Sequence, residues 1–207
     1  MNQEAGKKAT KDGVEKSLWK PGNMLYPVPA VMVSLKRPEE KPNIITIAWA
    51  GTVCSDPAMV SISVRKERYS YQILKETEEF VINLVTSELA FAADYCGVKS
   101  GRDVDKFREM KLTPVPSSHI GAPGILQSPV NIECRVKQVI PLGSHDLFLG
   151  QVLGVTVDSD YLDASGRFRL NDAKLVAYSH GEYFELGKKI GTFGYSVRKT
   201  HTRRKRS

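Results

Sequence analysis

Residues 43–70, NIITIAWAGTVCSDPAMVSISVRKERYS, concentrate the residue types that could hold an anion. Arg65, Lys66 and Arg68 form a cationic turn just ahead of Ser70, where a short helix is expected to begin. A guanidinium offers a planar fork of donors to phosphate oxygens, and a helix N-terminus adds unpaired backbone N–H groups. The Ser70 hydroxyl is well suited to capping that helix. Two readings of the turn stay open on physics alone: a phosphate site, or a solvated turn with an ordinary N-cap. Other chemistry finds less support. His119, His145, His180 and His201 lie far apart, without an HExxH motif or Cys/His ligand spacing, so no metal site is expected. There is no GxSxG nucleophile elbow and neither of the glycine-rich nucleotide loops, GxGxxG or GxxxxGK[ST]. Cys54 sits beside a turn, Cys96 falls on an expected helix, and Cys134 lies in the apolar phase of a strand, where core packing is its expected role.

The elements that must position these residues read mainly as strands. VPAVMVSL (28–35) is an apolar run, and NIITIAW (43–49) is rich in β-branched residues. A glycine-containing loop and the Asp56-Pro57 turn lead into MVSISV (59–64), where Val60, Ile62 and Val64 face one way and Ser61 and Ser63 the other. SYQILKE (70–76) reads as a short helix, EFVINLV (79–85) as a strand, and SELAFAADYCG (87–97) as a helix closed by Gly97. From Val130, apolar Val130, Ile132, Cys134 and Val136 alternate with Asn131, Glu133, Arg135 and Lys137, and Gly143 turns the chain into a second long strand, 146–157. Two such strands suggest an antiparallel hairpin able to form a barrel wall. Short strands without regular βαβ alternation argue for an antiparallel barrel with helical inserts, not a dinucleotide-binding sheet.

Composition sets the outer bounds. The chain has 207 residues, 41% hydrophobic and 26% charged, which fits one soluble domain with its own core. No apolar run is long enough for a membrane span, and the polar N-terminus lacks the apolar core of a secretory signal. Three sparse cysteines form no disulfide framework, which suits a reducing cytoplasm. Of the 30 basic residues, six lie in the tail 198–207, leaving 24 against 23 acidic residues elsewhere. A near-neutral body with a basic end does not fit nucleic-acid binding as the main task. The expected organisation is an N-terminal arm over 1–22, one domain over 23–197 and a basic tail over 198–207.

The pattern N-x-x-T-x-A-W-x-G-x-V-C-S-D-P-x-x-V-S-x-S-V-R, then R-Y-S-Y and E-F-V-I-N-L, resembles the flavin reductase-like, FMN-binding split-barrel family, especially its flavoredoxin-type branch. The resemblance continues through Val98-Lys99-Ser100-Gly101-Arg102-Asp103-Val104-Asp105-Lys106-Phe107, returns at His180-Gly181-Glu182-Tyr183 and in residues 187–196, and covers about residues 20–197.

That resemblance implies a homodimeric, mainly β, antiparallel split barrel with short helical inserts, binding FMN without a covalent bond near the subunit interface. The polar edge of the flavin ring would meet the backbone of the loop at residues 48–54, that is Ala48, Trp49, Ala50, Gly51 and Thr52, where Gly51 permits close approach. Thr46 would add a hydroxyl to the ring or ribityl chain, and Arg65, Arg68 and Ser70 would hold the phosphate. Lys99 and Ser100 could reach the same ligand or the neighbouring subunit's. Trp49 and Ser63 would line the site, or serve the core and solvent; Asn83 would touch the ligand or satisfy backbone. Asp103, Lys106 and Phe107 would serve the ligand or an interface helix. His180 stands where related flavin reductases place a histidine or arginine against the nicotinamide, which makes it the catalytic candidate.

The implied activity is transfer of electrons from NAD(P)H through FMN to a flavin, ferric or protein acceptor. One alternative is a flavoredoxin-like carrier between proteins, and another is a binding module with flavin structural or absent. Many two-component flavin reductases carry a late Gly-Arg-Asp type segment associated with pyridine nucleotide. Here Gly101-Arg102-Asp103 comes early and the late segment reads Ser179-His180-Gly181-Glu182-Tyr183. The resemblance therefore carries flavin binding further than it carries NAD(P)H use.

Overall fold

The computed structural model describes residues 9–11 and 13–198; the rest of the expected arm and basic tail lies outside the described residues. Seven strands build the main sheet: β1 (Val31–Leu35), β2 (Asn43–Ile47), β3 (Ala50–Ser55), β4 (Ala58–Arg65), β5 (Glu79–Leu84), β6 (Val130–Leu142) and β7 (His145–Val157). Their order is β2-β1-β5-β6-β7-β4-β3, antiparallel throughout. In β4, Val60, Ile62 and Val64 are buried and alternate with half-buried Ser61 and Ser63, as the period of two requires. The β6–β7 hairpin shifts register between Glu133 and Cys134 and again between Val136 and Gln138. Such bulges add bend and twist, which lets the sheet curl.

Curling brings β2, at one end of the sheet, against β4, next to the other end, through side chains. Ile45 and Ile47 of β2 share one core with Val60, Ile62 and Val64 of β4, around the fully buried Phe80 and Phe148. No ladder joins β2 to β4 among the described residues, so the barrel keeps an open seam there. Packing at the centre is tight: a Cβ on Gly150 would stand 2.6 Å from Phe80 Cζ. By analogy with other buried aromatics, truncating Phe80 to alanine would cost about 3–5 kcal/mol.

Three helices stand outside the sheet: α1 (Tyr69–Thr77), α2 (Ala90–Val98) and the short α3 (Lys106–Glu109). A second apolar cluster, including Met32, Ile44, Ala93, Cys96 and Phe107, joins α2 and α3 to the outer face. The short strands Val28–Pro29, Val176–Ser179 and Glu182–Glu185 form a small separate sheet. No helix among the described residues is long and apolar enough to cross a membrane.

Four local expectations are corrected. The segment expected as a loop after Trp49 is the edge strand β3, because Ala50, Gly51 and Thr52 pair with Ile62, Ser61 and Val60. Gly97 does not close α2, which runs on to Val98; a Cβ at Gly97 would lie 3.2 Å from Thr46 Cβ, so glycine here lets α2 rest on β2. Ser70 is not a cap: it lies inside α1, where Arg68 occupies the N-cap without a side-chain capping bond, and its Oγ accepts from Asn43 Nδ2 at 2.8 Å. Asn131 and Glu133, placed on the outward phase of β6, are buried. The covering segment spans residues 114–125, whose backbone at Ser118 and His119 donates to the Glu133 carboxylate at 2.9 and 2.8 Å.

Candidate functional site

The open seam is the site. Ile45, Thr46 and Ile47 on β2 face Ser63, Val64 and Arg65 on β4 across a cleft of about 380 Å³. β3 begins opposite Ile62, so β4 from Ser63 onward has lost that neighbour, and Ser63 N–H instead donates to Trp49 O at 2.9 Å. The cleft continues past Ile45, Arg65 and Arg68 into a pocket of about 420 Å³.

That second pocket is strongly cationic. Arg65, Arg68, Lys99, Arg102 and Lys106 line it against two carboxylates, Glu67 and Asp103. Glu67 is partly spent on Arg65, at 3.2 Å. The start of α1 opens into this pocket with no acidic residue in its first turn and no capping side chain; Tyr71 N–H donates to Arg68 O at 3.0 Å, which leaves the N–H groups of Tyr69 and Ser70 for an anion. Lys66 does not join the cluster: it pairs with buried Asp146 at 3.3 Å, whose other oxygen accepts from Tyr71 Oη at 2.7 Å. Lys106 is buried, with its ammonium on the carbonyl oxygens of Ile44 and Cys96. Burial pushes its pKa down to about 8, and Arg68 adds to that effect. Burial also pushes the neighbouring Cys96 thiol up to about 11, so it stays neutral.

The other end is aromatic. Tyr26 sits 6.0 Å from Trp49, 6.2 Å from Tyr178 and 5.1 Å from His180, measured between ring centroids. Tyr178 meets Tyr183 edge-on at 5.5 Å. Tyr183 Oη donates to Asp94 Oδ1 at 3.3 Å, tying the C-terminal hairpin to α2 across the cleft. Burial, with Asp94 beside it, pushes the Tyr183 phenol up to about 12, so it remains a donor at neutral pH. A cationic end and an aromatic end joined by one seam suit an elongated ligand with an anionic head and a planar ring.

The structure gathers most of the sequence-expected residues along this seam. Thr46, Ala48, Trp49, Ser63, Arg65 and Arg68 line its aromatic part, while Ser70, Lys99 and Ser100 join the two arginines at the cationic part. Thr46 Oγ1 already donates to Ala93 O, which leaves its oxygen only as an acceptor for a ligand. Ala50 and Gly51 line an adjoining groove of about 620 Å³ that shares Ala48, Trp49 and Ser63 with the cleft. Thr52 lies farther along the exposed edge of β3. Asn83 is corrected outright: it is fully buried in the core, donating to Met32 O and Ser34 Oγ and accepting from Ile125 N and Asn131 Nδ2. His180 does not line the cleft either. With φ of 51° beside Gly181 at 89°, it forms the two-residue turn of the C-terminal hairpin and reaches the rim through Tyr26.

Sequence reasoning missed Tyr26, Asp94, His145, Tyr178 and the inward placement of Lys106. Most of them come from other parts of the chain, and no local spacing marks them as partners of β2 and β4. Among the described residues, no cluster of three or more histidine, cysteine or acidic side chains could hold a metal. His119 lies elsewhere, with Nδ1 2.9 Å from the buried Glu133 carboxylate beside a separate cleft of about 490 Å³.

Comparison with known proteins agrees with this architecture. The model of the "Flavin reductase like domain" family matches residues 23–187. The structure of flavoredoxin from Desulfovibrio vulgaris (Miyazaki F) is 31% identical, covering 88% of this chain and 100% of that one, with a TM-score of 0.81. An FMN-binding protein from Thermus thermophilus is 23% identical over 86% of this chain and 99% of its own, with a TM-score of 0.71. An NADH:FAD oxidoreductase of Streptomyces globisporus C-1027 is 21% identical over 79% of this chain and 88% of its own, with a TM-score of 0.66. The last two share the fold, a split barrel built mainly of antiparallel strands. With its seam, its cationic pocket and a family match spanning most of its length, this chain belongs to the flavin reductase-like domain family.

Proposed function

We propose that the seam holds FMN and that the protein is a flavin oxidoreductase, taking electrons from NAD(P)H and passing them to a flavin, ferric or protein acceptor. The observation that carries the reading is the continuity of a cationic pocket with an aromatic cleft along one open edge of the barrel. The residues fit the group. Five cations face two carboxylates where a phosphate would need countercharge, and the start of α1 has no capping side chain. Arg65, Arg68, Lys99 and Ser100 would hold the phosphate; Thr46, Ser63 and the backbone around Ala48 and Trp49 would meet the ribityl chain and ring.

When bound, FMN supplies a ring that accepts a hydride and returns electrons singly or in pairs. The chain's own contributions are positional and electrostatic. Fixed donors along β2 and β4 need no reorganisation when negative charge develops nearby. Tyr26, Trp49 and Tyr178 line the aromatic end, where their rings would flank a planar group. Tyr183 donates its phenolic proton to Asp94, which fixes its ring against the same space.

Homodimer formation belongs to the proposal. Leu18, Trp19 and Leu25 before the barrel, and Ile190 and Phe193 after it, are exposed apolar side chains that a second copy would cover. A second reading is a flavoredoxin-like electron carrier with tightly held FMN, favoured by the likeness to flavoredoxin. Visible spectra of the purified protein, before and after anaerobic addition of NADH or NADPH, separate the readings. Bleaching of a flavin spectrum by either nucleotide supports the oxidoreductase. A flavin spectrum that only a redox protein or dithionite bleaches supports the carrier. A protein that stays colourless and binds no added FMN overturns both.

A further inference from the structure

Lys106 is 3% exposed, and its Nζ donates to Ile44 O at 2.6 Å and Cys96 O at 2.7 Å. A buried ammonium is costly unless a countercharge stands beside it. None of the ion pairs among the described residues includes Lys106. Its chain neighbour Asp105 is directed to Lys41 and the Arg108 N–H, and Glu109 pairs with Arg108. From α1 it faces Arg68, and from α2 the neutral Cys96 thiol. Arg65 and Glu67 at the end of β4, and Lys99, Arg102 and Asp103 beyond α2, complete the charged lining of its pocket. An ammonium has three N–H donors, and the two carbonyls account for two.

The structure thus holds a buried charge inside a cationic pocket, tied to both walls and lacking an acid of its own. We propose that Lys106 is a specificity-determining residue, its buried charge completed by a phosphate dianion, so that the site selects FMN over riboflavin. This rests on the flavin reading above. Where the anion is absent, burial lowers the pKa of Lys106 to about 8. A dianion alongside raises it, because an opposite charge favours the protonated form. FMN binding must then take up a proton where free Lys106 is mainly neutral, and the preference for FMN must weaken as pH rises above 8. The arginines cannot produce this effect, since they stay charged throughout.

The test is calorimetric titration of the full-length protein with FMN and with riboflavin at pH 7.5 and 9.5, in two buffers of different ionisation heat. The shared ring cancels between the ligands. FMN alone takes up most of one proton near pH 9, and its advantage over riboflavin falls by about twentyfold across the range when the dianion favours the protonated lysine by about a hundredfold. Lys106→Arg keeps the advantage and loses both the proton uptake and the pH dependence, whereas Lys99→Met keeps the uptake. FMN binding without proton uptake, or uptake that disappears only in Lys99→Met, overturns the inference while leaving the flavin reading intact. Failure of both flavins to bind overturns the two together. Should Lys106→Arg not fold, the wild-type and Lys99→Met titrations decide alone.

Discussion

Replacing Asn83 with alanine separates a structural role from a ligand role. The side chain is fully buried, and Nδ2 donates to Met32 O and Ser34 Oγ, both at 2.9 Å. Oδ1 accepts from Ile125 N at 3.0 Å and from Asn131 Nδ2 at 2.7 Å. Truncation strands the Ile125 N–H and leaves a small void between β1, β5 and the segment that covers β6. Asn131 keeps its bond to Ile125 O at 3.1 Å, so its loss is partial. One buried orphan at about 1–3 kcal/mol, plus the weakened neighbours, gives about 2–4 kcal/mol. For a chain of this length that is a fall in Tm of roughly 5–15 °C. The assay is thermal and urea unfolding, paired with FMN titration well below the transition. The folded variant should bind FMN within about threefold of wild type, a shift under about 0.7 kcal/mol. Unchanged stability, or a large loss of FMN affinity in a variant that still folds, would refute the assignment of Asn83 to the core.

Arg68→Ala should weaken FMN by about 1.5–3 kcal/mol, roughly 10- to 150-fold, and riboflavin much less, since only FMN offers the charged acceptor; equal losses by fluorescence titration would remove Arg68 from the phosphate pocket. Glu133→Gln should expose a pH effect. Burial pulls the Glu133 carboxyl upward, but the Ser118 N–H and the His119 ring and N–H outweigh it, and its pKa lies below the usual value. A lowered carboxylate pKa gives stability that is present above the unfolded value and lost as pH falls through the folded one. The variant should therefore be less stable than wild type at neutral pH and converge with it on acidification, as read by unfolding midpoints across pH; a constant gap would remove the carboxylate from that role. Sedimentation should give a dimer of the 23.0 kDa chain, and a stable flavin-bearing monomer would exclude partner coverage of the apolar arms.

Much of the barrel was legible because its strands carry strong local signals. The alternation in β4 and the long β6–β7 hairpin follow directly from side-chain period and turn residues. The cationic turn before α1 was also visible, because Arg65, Arg68 and Ser70 lie within six residues of one another. What failed depended on distant partners. Ser70 has the chemistry of a cap, yet Asn43 engages it from β2 and the helix begins one residue earlier. Gly97 looks like a helix stop until Thr46 is placed against it. Asn83 and Asn131 read as ordinary polar positions in alternating strands, whereas residues 114–125 fold over that face and turn both into core. Lys106 looks like a surface lysine of a short helix; only its two carbonyl partners, 62 and 10 residues away, mark it as buried.

A crystal structure of the protein with FMN would locate the phosphate and the ring in one measurement. The phosphate should lie among Arg65, Arg68, Lys99 and the first N–H groups of α1, with the ring in the seam between β2 and β4 toward Trp49. FMN seated elsewhere, such as in the cleft beside His119 and Glu133, or lying in the seam with its phosphate at the aromatic end, would contradict it.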